Sequence, residues 1–535
     1  MVWRARLVEF ARAHMADRAT ISGYAGNPVA QRATPSRAGW QVALLSALAF
    51  AACYLRLFVL PHTTLLIWSD QLEYATKGVR ILDGELPYRD FFEFLTPGTD
   101  LVYALLFRLL GVGPWMPNLA MCVLLAITVL AVTWCAQQLV RGWYAALPAA
   151  VAIATVLSGA TDASHHWFST VAALGAVWVL FSGLSPVRVV AAGAFSGLAA
   201  SFTQTKGTFV TVALVGYFLW IGKRENDRTG LWWRRALTLC ASAIAAFAAI
   251  NGPLIWQAGL GRWAFDVIEF PLRYASSVSA NNWTGVLPAF EENRSVMKWI
   301  NTPVQFIGVP LVYLWFFVRM RKARQEPREP WNQLLLLALV GVALMAAVAT
   351  MPSVKRLTAA SPPALVLLAW LLSTSRRVRT ATVAGAASVG IAIAQIVLIQ
   401  LRPEKLVDLP SGRGAIPPKA NYYELYRWMG ENTRPGQLFY GMHTLMLPFE
   451  LRNPTPIEQL GGAEFSRPEQ VAEVVDGLEK KKVPMMILWA KIYAPGAGEK
   501  TPEDHLQPFR EYLFQHYRKT KSFPGGYEVW ERVDK

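Results

Sequence analysis

Charge is scarce in this sequence. Only 16% of the 535 residues are Asp, Glu, Lys or Arg, against 53% hydrophobic. A soluble chain of that length needs more charge to cover its surface, so the composition excludes one and points to a polytopic membrane protein. Cysteine is nearly absent. Cys53, Cys122, Cys135 and Cys240 all lie in apolar runs, with no CxxC or Cys/His spacing, and read as core residues rather than zinc ligands or a disulfide framework. "FAAC" ending at Cys53 is faintly like a lipoprotein cleavage site, but the apolar run continues through "YLRLFVL" and argues against cleavage. The C-terminal part contains neither GxGxxG nor GxxxxGK, so no nucleotide loop is read there. Acids are outnumbered, 36 against 52 Lys and Arg, for a net charge of +16. The basic residues sit in short clusters between apolar runs. That is the pattern of cytoplasmic loops, not of a nucleic-acid surface, and no nucleic acid is expected as a partner.

What is present is a succession of apolar stretches. A spanning helix needs about 20 apolar residues. Eleven stretches qualify as candidate spans: 40–60, 117–140, 143–160, 166–183, 187–204, 207–222, 234–256, 303–319, 331–350, 356–373 and 379–401. Residues 1–39 are polar and Arg-rich, a cytoplasmic tail; 402–535 has no such run. The basic loops "GKRENDRTGLWWRR", "RMRKARQEPREP" and "STSRRVRT" belong on the cytoplasmic side. Counting from them puts "TDASHHW", "TQTKG", the loop 257–302, "TMPSVKR" and the C-terminal part outside. Counting from the N-terminal tail puts 61–97 outside too. The two counts agree only if "PGTDLVYALLFRLLGVG" (97–113) does not cross. It is short and carries Asp100 and Arg108, which are costly at mid-bilayer, so an interfacial or re-entrant helix is expected there. The outer loop 61–116 is then one elaboration between the first two spans. In the tail, helix-like and strand-like stretches alternate and close on a hairpin at Pro-Gly-Gly, which predicts an extracytoplasmic α/β domain over 402–535.

The stretch "IWSDQLEYATKGVRILDGELPYRDFFEF" (67–94) concentrates acids where the chain leaves its first apolar run. An outer-face site has no ATP or nucleotide sugar, so an activated substrate has to arrive in the lipid, and a sugar on a polyprenyl phosphate satisfies that constraint. Phosphate leaves readily. The reaction then needs a carboxylate to take the acceptor's proton and cations to hold the phosphate. Asp70 stands just beyond the apolar run, at headgroup height. Its alternative role is a solvated cap on the following helix.

"SDQLEYATKGVRILDGELPYRDF", followed by a Pro-led helix ending in "LFRLLG", resembles the first outer loop of the C-type (GT-C) membrane glycosyltransferases. The nearest groups are the family 39 protein O-mannosyltransferases, the family 83 aminoarabinose transferases and the bacterial RgtA/B/C/D-like set. The resemblance extends to "TKG" (205–207) and "KRLTAASPPALVLLA" (355–369). It implies a GT-C fold, an inverting transfer from a polyprenyl-phosphate donor, and Asp70 as catalytic base. It also implies an integral, bacterial inner-membrane location with the site facing outward. The usual Asp-Glu pair is here Asp70-Gln71. If that Glu ligates a metal in relatives, this chain lacks the ligand. No cofactor is required by the residues, and a divalent metal is left open. The second outer loop often carries another acid; here Asp162, His165 and His166 are alternatives for substrate contact. Lys206, Lys355 and Arg356 stand at outer helix ends as phosphate contacts, with lipid-headgroup flanking as their alternative. Glu73 and Lys77, spaced i, i+4, read as a surface pair. The acceptor is a glycan, lipid or protein. Rival readings are a transporter or flippase, a glycan polymerase or ligase, and an inactive relative.

Overall fold

The computed structural model describes residues 35–273, 296–323, 330–401, 405–417, 420–460, 466–493 and 505–534. The basic tail up to residue 34 lies outside them, as does "NWT" (282–284), which has the form of a glycosylation sequon. Two units are distinguished, Met1–Leu44 and Leu45–Lys535; the first helix, α1 (Pro35–Leu57), begins in one and ends in the other.

The apolar runs fold as helices. Among the described residues, seven are long and apolar enough to cross a membrane: 39–57, 116–139, 204–224, 231–258, 300–322, 331–348 and 378–400. A bent pair makes an eighth: α12 (Val354–Ala360) and α13 (Pro362–Thr374), turned by 62° where Ser361 precedes two prolines that cannot continue the hydrogen-bond ladder. Three further apolar helices are shorter, 142–157, 165–181 and 186–202. Eleven spans require these three to cross as well; length and composition alone support seven or eight.

In chain order the elements that build the site follow α1 as β1 (Phe58–Val59), β2 (Thr63–Leu65), α2 (Gln71–Leu82), α3 (Gly98–Leu110), α4 (Met116–Leu139), α5 (Leu147–Leu157), α6 (His165–Phe181), α7 (Pro186–Phe202) and α8 (Gln204–Arg224). Then come α9 (Leu231–Ala258), α10 (Val309–Ala323) and α11 (Trp331–Val348) ahead of α12. Proline opens α4, α5 and α7 in the first turn, where a missing N–H costs nothing. Between α7 and α8 a single extended residue, Thr203, reverses the chain. The turn closes tightly because Gly207 lies on the Ala200 backbone, where a side chain has no room. That packing accounts for the glycine of "TKG".

After α14 (Val378–Gln400) come β3 (Lys405–Leu409), β4 (Gly412–Ile416), α15 (Tyr423–Asn432), β5 (Tyr440–Gly441), α16 (His443–Phe449), α17 (Pro468–Lys481), β6 (Met485–Trp489), α18 (Gln507–His516), β7 (Tyr517–Phe523) and β8 (Tyr527–Arg532). Helices and strands are both present here, and the strands belong to two four-stranded sheets. The second, β5-β6-β8-β7, closes on the expected hairpin, with Gly525 and Gly526 at φ +90° and +80°. The first, β1-β2-β4-β3, joins chain ends some 350 residues apart in sequence, since β2 runs parallel to β4 with Thr64 beside Gly414. The first helix therefore does not lead directly to Asp70. It ends at Leu57, and the β1–β2 hairpin intervenes, stitched to the C-terminal part.

Candidate active site

Asp70 occupies the N-cap position of α2, yet its side chain makes no cap hydrogen bond. Among the described residues its carboxylate has no hydrogen bond or ion pair, and it is exposed. Its charge acts on three groups: Tyr74, Asp162 and the Arg356 guanidinium. The capping alternative is therefore not what this side chain does.

The segments expected on the outer face meet around it. Asp162 sits in the loop between α5 and α6, 4% exposed, with the Lys355 ammonium 3.8 Å from its carboxylate. Burial raises the Asp162 carboxyl above its ordinary range; Lys355 opposes that rise and the Asp70 charge adds to it. Lys355 itself keeps 44% of its side chain exposed. The Arg356 backbone N–H is capped by Ser353, and Nη1 donates to the Met351 carbonyl at 2.7 Å. The turn that starts α12 thus aims two adjacent cations at the two carboxylates.

The histidines sit behind this pair. Successive residues on a helix point about 100° apart, but the His165 and His166 rings turn toward each other, centroids 3.8 Å apart. His165 Nδ1 meets the Thr203 hydroxyl at 2.8 Å, and the ring lies edge-on to Tyr74 at 5.6 Å. Both ring nitrogens of His166 are buried without a partner among the described residues. Lys206 is turned inward, not toward headgroups: it is 0% exposed, with Nζ donating to the His166 carbonyl at 2.9 Å and the Thr170 hydroxyl at 3.2 Å. It ties the start of α8 to α6 through two of the three N–H groups an ammonium carries. Gln71, 1% exposed, joins α2 to the Asp162 loop and to α4.

Sequence reading missed a second, buried charge cluster one turn along α2. The Glu73–Lys77 pair is not a surface pair. Lys77 is 2% exposed and bonds Glu73 at 2.8 Å and Glu93 at 2.6 Å. Asp100 faces Glu93, and neither of its oxygens has a donor from another described group. Burial, then the Glu93 charge, holds the Asp100 carboxyl well above its usual value. Spacing could have flagged Lys77 with Glu73, but nothing local announces Glu93 or Asp100 as their neighbours. Asp83 and Asp90, the other acids of the stretch, are engaged: Asp83 with Arg452 at 3.5 Å, Asp90 with Arg89 at 2.6 Å and the Leu86 N–H at 2.8 Å. Arg532 lies among Glu479, His516 and Asp534 in the C-terminal part, bonding Glu479 at 2.6 Å and Asp534 at 2.9 Å. A cation already occupies that carboxylate group.

A bundle of apolar helices, capped at one end by a carboxylate-and-cation cluster and a mixed helix–strand region, is the fold expected for a C-type membrane glycosyltransferase. Two solved structures share it over nearly the whole chain. ArnT from Cupriavidus metallidurans bound to undecaprenyl phosphate superposes with a TM-score of 0.53 at 15% identity, covering 94% of this chain and 99% of that one. The apo state of ArnT gives 0.53 at 14% identity, covering 93% and 99%. No protein-family model and no curated protein sequence matches the chain.

Proposed function

We propose that the protein is a glycosyltransferase that moves one sugar from a polyprenyl phosphate to an acceptor hydroxyl outside the cytoplasm, with Asp70 as general base. The observation that carries this is an exposed carboxylate, unpartnered among the described residues, whose charge acts on Arg356 and on Asp162, the latter held by Lys355. Its fold is shared with a protein whose structure holds undecaprenyl phosphate. The acceptor hydroxyl gives its proton to Asp70 as its oxygen attacks the anomeric carbon. The bond from that carbon to the phosphate oxygen breaks, and its electron pair leaves with the phosphate. Arg356 and Lys355 hold the charge that develops there, with Lys206 behind them. A single displacement inverts the anomeric centre. Asp162, His165 and His166 form the wall against which the sugar is positioned. Gln71 is engaged at both ends of its amide and is not the second catalytic acid.

The test is turnover of the purified protein with labelled polyprenyl-phosphate sugars. Asp70→Asn keeps size and removes the base, and should cost about 10²–10⁴-fold in turnover. Asp83→Asn and Asp90→Asn lose only an outer ion pair and should stay within about threefold of wild type. An active Asp70→Asn beside a dead Asp83 or Asp90 variant moves the base elsewhere in the loop. Three active variants defeat the mechanism.

A further inference from the structure

A directed chain of hydrogen bonds runs beneath the site. Gln71 Oε1 accepts the Ala163 N–H at 2.9 Å, and Gln71 Nε2 donates to Asn118 Oδ1 at 3.0 Å. Asn118 Nδ2 faces the Leu57 carbonyl at 3.1 Å, the Thr64 hydroxyl at 3.0 Å and the Leu65 carbonyl at 2.9 Å. The ends fix the direction. A backbone N–H can only donate, and the Leu57 and Leu65 carbonyls can only accept. Neither amide can be reversed without opposing like groups at both of its contacts. Gln71 and Asn118 are each 1% exposed, so water does not repair a mismatch.

The chain's position gives it a role. Gln71 directly follows Asp70, and Ala163 directly follows Asp162. The Ala163 peptide is held from its other side as well, since its carbonyl accepts the Tyr103 hydroxyl of α3 at 2.7 Å. Asn118 adds the end of α1 and strand β2. Two side chains thus bring together three stretches remote in sequence, residues 57–71, the start of α4 and the loop at Ala163, and two of these carry the carboxylates.

We propose that Gln71 and Asn118 are positioning residues that hold Asp70 and Asp162 in register, and that position 71 has to donate as well as accept. The inference rests on the role given to Asp70 above. A carboxylate at position 71 can accept from Ala163 but not donate to Asn118, and two acceptors then face each other in a dry place. A protonated carboxyl restores the chain. Gln71→Glu should therefore be defective near neutrality and recover on acidification, whereas Gln71→Leu breaks both contacts at every pH.

Turnover relative to wild type is measured from about pH 8 to about pH 6, with amide hydrogen exchange of the peptide containing Ala163 followed in parallel. The Gln71→Glu ratio should rise about tenfold or more as pH falls, the buried acid regaining its proton, with the donor KM little changed. In Gln71→Leu the Ala163 amide should exchange faster and turnover stay low throughout. A ratio that stays flat with pH, or an Ala163 amide that exchanges in Gln71→Leu as in wild type, overturns the inference. If Gln71→Leu does not fold, the pH response of Gln71→Glu decides alone. Asp70→Asn in the same assay reports separately on the catalytic reading. If it is active that reading fails, while the exchange at Ala163 still tests the clamp.

Discussion

Among the described residues Arg356 uses one of its five guanidinium donors, on the Met351 carbonyl, while its charge interacts with Asp70 and Asp162. Its neighbour Lys355 remains partly solvated and spans 3.8 Å to Asp162, a looser contact than a hydrogen bond. The two cations are therefore not equal. Arg356→Ala should lower kcat/KM for the donor by about 1.5–3 kcal/mol, the loss of a charge-assisted hydrogen bond, and leave the acceptor KM near wild type. Lys355→Ala should cost less. Steady-state kinetics with donor and acceptor varied separately checks this, and an Arg356→Ala enzyme with unchanged donor parameters removes that residue from the phosphate site. Residue identity was partly legible in the sequence. Asp70, Asp162, Lys355 and Arg356 declare themselves by charge at the ends of apolar runs. Gln71 reads there as a missing charge and as a substrate-binding amide able to orient a hydroxyl. Its use as a two-sided amide depends on Asn118, 47 positions away, and no local pattern reports such a pairing.

Helix α2 is where local pattern misleads most. Glu73, Lys77 and Arg80 follow a helical spacing that ordinarily marks a solvated face. All three meet partners instead, because the stretch after α2 and the C-terminal part fold over them. Arg80 bonds Glu85 and Glu458, each at 2.6 Å, with Glu458 contributed by the C-terminal part. Lys77 balances Glu73 and Glu93 in the interior, and burial beside Glu93 pushes the Asp100 carboxyl up. Removing the cation leaves buried acids unpaired. Lys77→Met should destabilise the fold by about 3–5 kcal/mol. Adding Glu93→Gln should return part of that loss, since the uncompensated charge and not the missing amine carries the cost. Thermal unfolding in detergent of the two single variants and the double checks the coupling; strictly additive losses would separate Lys77 from Glu93. Long elements such as α4, α9 and α14 were legible from their apolar runs. The strands β1 to β4 were not: they have two to five residues and contain Gly or lie within two residues of a Pro, and their pairing spans most of the chain.

At the scale of the whole molecule, the hydrogen bonds themselves constrain the topology. Gln71 and Tyr103 both bond the Ala163 peptide, so α2, α3 and the loop after α5 lie at one end of the bundle. Between Tyr103 and Ala163 the chain runs out along α4 and back along α5. If those two helices each cross, α3 cannot, or Asp70 and Asp162 would stand on opposite sides of the membrane. The helix agrees with this. Its 13 residues reach only ~20 Å, short of a hydrocarbon core of about 30 Å. It buries Asp100 and Tyr103 toward the bundle and leaves Leu105, Leu109 and Leu110 exposed at 55%, 68% and 55%, an apolar flank suited to the membrane interface. The basic clusters between the later helices are what the charge rule assigns to the cytoplasmic side, and on that assignment we propose that the site and the C-terminal part face away from it. Cysteine labelling tests the arrangement cleanly, since Cys53, Cys122 and Cys135 are buried and only Cys240, half-buried, needs replacement by Ala. In that background, Val112→Cys and Arg413→Cys should both react with a membrane-impermeant maleimide added to the extracytoplasmic face. Val112→Cys reacting only from the cytoplasmic side would make α3 a span, and with it the shared end of Asp70 and Asp162 would be lost.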